Sequence, residues 1–543
     1  MVLIERVLRE IDGRGYGAYR RLVGARQVVD GVAVEVVRVQ GDPYAPPSVA
    51  RVELVLDGPS WALRHPVAYA DWVLRRLFRE LKRVSRRVGE GWSGFLGVPK
   101  PSPVMIRRSA VEIRGSRLVA RVWVGLPSRH RRVLGDEAIE ILLRKLPRAV
   151  ARAASWRGCE SELRRYVDAW IEQEYIRELL PRKRLVAFVG DGSILPRKHG
   201  GSEEPLEGAV PFESPPSLRI EIELPTGRAV SGAGIPRGLT VVTGAAFHGK
   251  TTLIEAIAAG VYNHVPGDGR ELVVSLRDTV LIASEEGRFV TCVDISPFID
   301  EPPPKMDPRC FSTRDASGAT SVAASIQEAI EVGAKLILLD EDTVATNVLF
   351  EDLEIVERLY RARTVVPLPS LAQGLESFGV SIIVASSGHR QLLRVAKTVI
   401  SMLKYIPRDV TEECRELARD TRVAHRSYSA PRERILARAP RLYKPRVRGC
   451  LLEDRELDTP INLCSNAQLY EETQLNTLRV VAKILPRFEG ASVAEIARRI
   501  ERTILSEGFE ALLGKEPGPD LGEVRAIDVA YLINRMPIEV IQR

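Results

Sequence analysis

Between residues 244 and 251 the chain reads Gly-Ala-Ala-Phe-His-Gly-Lys-Thr, two glycines set five apart and followed at once by a lysine and a threonine. Such a string suits one task. The glycines let the backbone N–H groups of Gly244, Ala245, Ala246, Phe247, His248 and Gly249 turn inward around a phosphate, and Thr252 adjoins the cradle. Lys250 then reaches the β- and γ-oxygens, and the Thr251 hydroxyl is placed to ligate Mg²⁺ at a helix N-terminus. Hydrolysis needs carboxylates as well, and Lys335-Leu-Ile-Leu-Leu-Asp-Glu341 supplies two at the end of an apolar run. Asp340 is the expected holder of the magnesium shell, and Glu341 the group that orients the attacking water.

Both motifs need strands to position them. Leu239 to Thr243 is apolar enough for a buried strand, Leu253 to Ile257 continues as a helix, and Leu336 to Leu339 reads as a central parallel strand. No Asn-Lys-x-Asp string exists in the chain, which disfavours a GTP-binding switch. Ser317-Gly-Ala-Thr-Ser321 opens a helical run 23 residues before Asp340. A serine hydroxyl, a glycine amide and a helix N-terminus together form an anion site. This stretch resembles the signature motif of ABC-class ATPases, with Ala319 and Thr320 replacing its second glycine and its glutamine.

The 543 residues imply two to four domains, and their 45% hydrophobic content can fill the cores. Three parts are expected: an N-terminal α+β domain over 1–200, a nucleotide-binding α/β core over 201–415, and a basic segment with a small helical domain over 416–543. The reading is of a cytoplasmic protein, with no apolar stretch near the roughly 20 residues that span a bilayer. Six cysteines show neither paired spacing nor a histidine partner, so they are expected to be small buried hydrophobes rather than disulfides or zinc ligands.

The net charge is +8, and its location matters more than its size. Arg422 to Arg448 holds nine arginines and lysines against a single acid, Glu433, and so accounts for the whole excess. Arg432, Arg434, Arg438 and Arg441, with Tyr428 and Tyr443 nearby, would neutralise phosphates and stack on unpaired bases. A solvated arginine-rich linker is the plainer reading. A second basic face is Arg75, Arg79, Lys82 and Arg86, at helical spacing in the run Trp72 to Val88.

Several further strings widen the likeness: Gln40-Gly-Asp-Pro-Tyr-Ala45, Gly190-Asp-Gly-Ser-Ile-Leu-Pro-Arg197, the stretch from Gly260 to Glu271, Val293 to Ile299, and Asp340 to Asn347. Together they resemble the predicted ATPases of the ABC class, the family of a kinetoplastid mitochondrial RNA-binding protein. The resemblance implies ATP and Mg²⁺ as cofactors. It also implies an ABC-type core, a homodimer that completes its sites in trans through Ser317 and Gly318, and a basic opening for single-stranded RNA. Thr346-Asn347 falls where a dimer-crossing loop is expected, and Asp294 or Ser296 would stand in for a magnesium-loop glutamine. His389 is the candidate γ-phosphate sensor, and Phe212 the candidate adenine contact. Transport is disfavoured for want of a membrane segment. An alternative remains: a nucleotide-dependent assembly factor that binds proteins rather than nucleic acid.

Overall fold

A computed structural model describes residues 3–360 and 364–543. It divides into two compact units, residues 1–170 with 471–477 and 502–523, and residues 171–470 with 478–501 and 524–543. The first unit is built on an antiparallel sheet in the order Arg26–Val29, Val32–Arg38, Ser48–Val55, Arg117–Val124, Leu96–Gly97, with Val111–Arg114 also pairing with Arg117–Val124. Its central strands are largely buried, as Arg117–Val124 is, and helix Pro66–Val84 packs its own buried residues Trp72, Leu74, Leu77 and Leu81 in this unit. Arg75, from the expected basic face, is bound instead to Asp71 and to the carbonyls of Ser102 and Val104. The helix ends at Val84, so Arg86 lies beyond it.

In the second unit a parallel sheet carries the phosphate motif. Its elements are β1 (Leu239–Thr243), α1 (Lys250–Ala259), β2 (Thr279–Ile282), α2 (Gly318–Glu331), β3 (Leu336–Asp340), β4 (Ser381–Ala385), β5 (Thr398–Leu403) and β6 (Ile406–Asp409). The strand order is β2-β3-β4-β1-β5-β6, all parallel except the final β5–β6 hairpin. β3 and β4 are buried along their whole lengths, as near-continuous Leu, Ile and Val runs require. Leu253, Ile254 and Ile257 of α1 pack in the same core as Val242, Leu338 and Ile383. A smaller antiparallel sheet, Arg219–Glu223, Ala229–Pro236, Leu185–Gly190 and Val273–Ser275, belongs to this unit too.

The tail over 466–543 forms helices, including Glu472–Ile484, Val493–Ser506 and Ala526–Ile533, but it is not a compact body of its own. Buried charges explain the division. Within the first unit, Glu471 is held by Arg108 and by the Ser102 and Thr473 hydroxyls. Within the second, Arg525 is buried against Asp528 and the carbonyl of Thr279. An ion taken out of water is costly unless a partner meets it at close range, so each pair ties its stretch of tail to one core.

The cysteine expectation is corrected. Cys292 is bonded to Cys310 and Cys450 to Cys464, leaving Cys159 and Cys414 free. Separations of 18 and 14 residues gave no signal, and strand pairing does the work instead. Val290–Val293 pairs with Phe311–Thr313, and Leu451–Glu453 with Ile461–Asn462, so that each hairpin brings its two sulfurs together.

Candidate nucleotide site

Gly244 has φ +137°, and a β-carbon there would lie 2.4 Å from the carbonyl oxygen of Met402. Only glycine fits so close an approach. Gly249, at φ +98°, makes the turn into α1, whose first residue is Lys250. The Lys250 ammonium lies within the loop, donating to the carbonyls of Gly244 (2.7 Å) and Ala245 (3.0 Å). Ala245, Ala246, Phe247 and Thr251 are exposed, and His248, Gly249 and Thr252 are half-buried. The His248 ring accepts a hydrogen bond from the backbone N–H of Lys404 at 2.9 Å.

Strand order brings the acids to this loop. β4 separates β1 from β3, and Asp340 pairs in register with Ala385 on β4, so both acids stand at the carboxyl end of the sheet, where the loop after β1 also begins. Asp340 is 5% exposed; its Oδ1 accepts the N–H of Asp342, while its buried Oδ2 has no hydrogen-bond partner among the described residues. An orphaned carboxylate oxygen at the end of the sheet where the loop leading to the exposed Thr251 begins suits a hard cation with oxygen ligands. The residues present therefore fit Mg²⁺.

Glu341 is engaged differently. Its carboxylate accepts the backbone N–H of Ser387 (2.6 Å), the Ser387 hydroxyl (3.0 Å) and Nε2 of His389 (2.9 Å). Burial acts to raise its pKa, but the bonds from His389, Ser387 and Ser386 outweigh that and hold it at about 2. The His389 ring is stacked on Phe350 with centroids 3.3 Å apart, which fixes its orientation. Sequence spacing left the register of His389 open; the loop after β4 brings its ring to Glu341.

Ser317 caps α2, its hydroxyl accepting from the N–H of Thr320, and it is exposed. The neighbours of Gly318 include Glu286, Ala345 and Ser284, all following β2 or β3. Thr346–Leu349 begins beside it, and Ser284 accepts the N–H of Ala345. This cluster gathers at the β2 edge of the sheet, three strands from β1. With a strand spacing of about 4.8 Å, that is roughly 14 Å from the phosphate loop. Asp294 and Ser296 are bonded to each other at 2.6 Å, and Asp294 also faces Arg432 at 3.5 Å.

Two other expectations are corrected. Phe212 is 4% exposed and packed in the core with Val186 and Leu253, so no base can reach its ring. Arg434 is buried in strand Arg434–Arg438, which pairs with Glu539–Gln542; its guanidinium binds Glu331 (3.0 Å), Asn534 (2.8 Å) and the carbonyl of Thr291. It is a structural charge and is closed to phosphates. Tyr428 is likewise occupied, donating to Gln327 at 2.5 Å with its ring edge-on to Phe378. Arg432 and Arg438 are exposed and only loosely paired, at 3.5 and 3.6 Å, and Arg441 is exposed.

The sequence is similar to known families. A family model described as a P-loop domain of ABC ATPases matches residues 159–438, and one described as the N-terminal part of ATPases of the ABC class matches residues 1–156. An uncharacterised protein of Methanocaldococcus jannaschii is 38% identical over 190 residues, 33% of this chain; the match spans 42% of that relative's length. A solved structure of an ATP-binding cassette of an ABC transporter, in its ADP conformation, aligns over 44% of this chain and 96% of its own, at 11% identity and a TM-score of 0.25. Among the described residues no helix is long and apolar enough to cross a membrane. With a phosphate loop, an acidic strand end and a family match over more than half its length, the chain belongs to the ATPases of the ABC class.

Proposed function

We propose that this chain binds ATP with Mg²⁺ on residues 244–252, hydrolyses it, and does so as a homodimer. The observation that carries the reading is the buried, unpartnered Oδ2 of Asp340 at the same end of the sheet as the phosphate loop. Thr251 and Asp340 would hold Mg²⁺, which when bound neutralises charge on the β- and γ-phosphates. Lys250 exchanges its two carbonyl bonds for phosphate oxygens. Glu341 orients the water, its low pKa keeping it ionised, and His389 shifts its Nε2 proton from Glu341 to the γ-phosphate as that group arrives.

Ser317 and Gly318 supply the second half of the site from a partner copy. Two features support this: the serine cap is exposed, and it lies across the sheet from its own phosphate loop, too far to close over it. Within this reading ATP closes a two-subunit clamp on single-stranded RNA, with Arg432, Arg438 and Arg441 as the exposed cations available to it. If the clamp holds a protein instead, the assembly-factor reading takes its place.

The test is Glu341→Gln in the full chain. It is expected to keep ATP binding, abolish turnover and accumulate a dimer with ATP; undiminished hydrolysis would remove Glu341 from the mechanism. A monomer that turns over at full speed with saturating ATP would remove the trans site.

A further inference from the structure

With Phe212 buried, the base of the nucleotide needs another surface, and the β5–β6 hairpin offers one. Leu403 pairs with Ile406, so Lys404 and Tyr405 are the two turn residues, at φ +49° and +69°. A two-residue turn with both φ values positive ordinarily takes Asn-Gly, because side chains with larger bulk are strained there. Here a lysine and a tyrosine are held in it. Backbone strain of this kind persists only where the surroundings over-determine it, and it gathers at ligand sites.

The surroundings are the phosphate loop itself. A β-carbon on Gly249 would lie 3.1 Å from Cδ1 of Tyr405 and 3.6 Å from Cε of Met402. The N–H of Lys404 is bonded to the ring of His248, which ties the turn to the loop from the other end. The tyrosine is nevertheless 51% exposed, with its hairpin neighbours Leu403 at 51% and Ile406 at 46%, and Phe247 of the phosphate loop is 93% exposed. So much exposed apolar surface at the rim of a polar phosphate cradle suggests that a flat apolar group covers it.

Strand order says which end of a nucleotide that group belongs to. Asp340, Glu341 and His389 follow β3 and β4, on one side of β1, and the γ-phosphate must lie toward them. β5 and β6 lie on the opposite side of β1, so the chain of phosphates runs away from the acids and toward the hairpin. We infer that Tyr405 is the platform on which the purine base of the bound nucleotide stacks, with Phe247 adding apolar surface at the same rim. The inference rests on the nucleotide reading of residues 244–252. Tyr405 gives affinity for a base through its ring face, whereas the phosphates are held by backbone N–H groups and Lys250.

The two contributions separate with a ligand that has no base. The full chain with Mg²⁺ is titrated calorimetrically with ATP and with inorganic tripolyphosphate, as wild type, Tyr405→Ala and Tyr405→Trp. Tyr405→Ala is expected to weaken ATP roughly tenfold and leave tripolyphosphate unchanged, as lost aromatic stacking on a base would. Tyr405→Trp is expected to keep ATP affinity, with its indole fluorescence quenched by ATP and not by tripolyphosphate. Equal weakening of both ligands would mean that Tyr405 only props Gly249, and would overturn the inference. So would an unchanged ATP affinity in the alanine variant, or an unquenched tryptophan. A wild-type chain that fails to bind ATP at all would instead sink the phosphate-loop reading, before any substitution is compared.

Discussion

The carboxyl end of the parallel sheet and the arginine-rich stretch from 422 to 448 both looked functional in the sequence, yet their side chains are in opposite conditions. At the sheet end, charged and polar groups are held in place but left open: Asp340 keeps a buried oxygen without a partner, and Ser317 and Thr251 are exposed. In the basic stretch much of the charge is already answered. Arg434 is neutralised by Glu331, Arg422 faces Glu357 at 3.1 Å, and Arg426 is paired with Asp300. A group kept in position with bonding capacity to spare is a site. A buried charge matched by a neighbouring acid, as at Arg434, is architecture, whatever its abundance in the sequence.

The largest effect that tests this contrast is at the sheet end. Glu341→Gln is expected to lower kcat by about a hundredfold or more while ATP affinity changes little, in a steady-state assay beside a binding titration. A comparable loss of affinity would mean that Glu341 holds the fold of the loop rather than the water.

Next comes Arg434→Ala, which leaves Glu331 buried without its cation. Burial already pushes that carboxyl upward against the pull of Arg434. The variant is expected to lose about 3 kcal/mol or more of stability in a denaturant titration, and its effect on RNA affinity is expected to be no more than its loss of folded protein explains. An intact stability with weakened RNA binding would reverse the assignment.

A smaller effect is expected from the exposed cations. Replacing Arg432, Arg438 and Arg441 together by glutamine should reduce the slope of log affinity for poly-uridine against log salt by about 2, near 0.7 for each phosphate contact. An unchanged slope would place any RNA elsewhere and favour the assembly-factor reading.

The smallest effect is on pH dependence. Glu341 has a folded pKa of about 2, below its ordinary 4.5, so the stability it contributes is full above its unfolded value and lost as pH falls toward 2. His389→Ala removes one of the bonds that hold it down, so the folded pKa should rise, and the stability lost below the unfolded value should be smaller and fully lost at a higher pH. Following the Glu341 carboxyl by NMR checks this; a titration that does not move would show that Ser387 and Ser386 alone set it.

The elements proposed to meet phosphate were legible because their chemistry is local. A loop that wraps an anion needs consecutive N–H groups and glycines at fixed spacing, and a fully buried strand needs an unbroken apolar run, so Gly244 to Thr251 and Leu336 to Asp340 announced themselves. Helix α2 and its serine cap were legible on the same ground. His389 was half legible, since its type was evident and its register was not. Phe212 misled because aromaticity says nothing about exposure, and Tyr405 was missed because a Lys-Tyr turn carries no turn signature at all. The disulfides were missed for a related reason: Cys292 and Cys310 meet only because two short strands pair.

What the sequence by itself determined is the phosphate cradle, the acidic strand end and the α/β class, since each follows from contacts among residues near one another in the chain. Tertiary structure alone decided which arginines were already spoken for, where the cysteines meet, how the C-terminal helices are shared between the two units, and which ring stands open beside the loop. Each of those depends on partners 14 to more than 150 residues away, such as Cys450 with Cys464 and Lys404 with His248. Burial and pairing are properties of an assembled core, and spacing along a chain does not encode them.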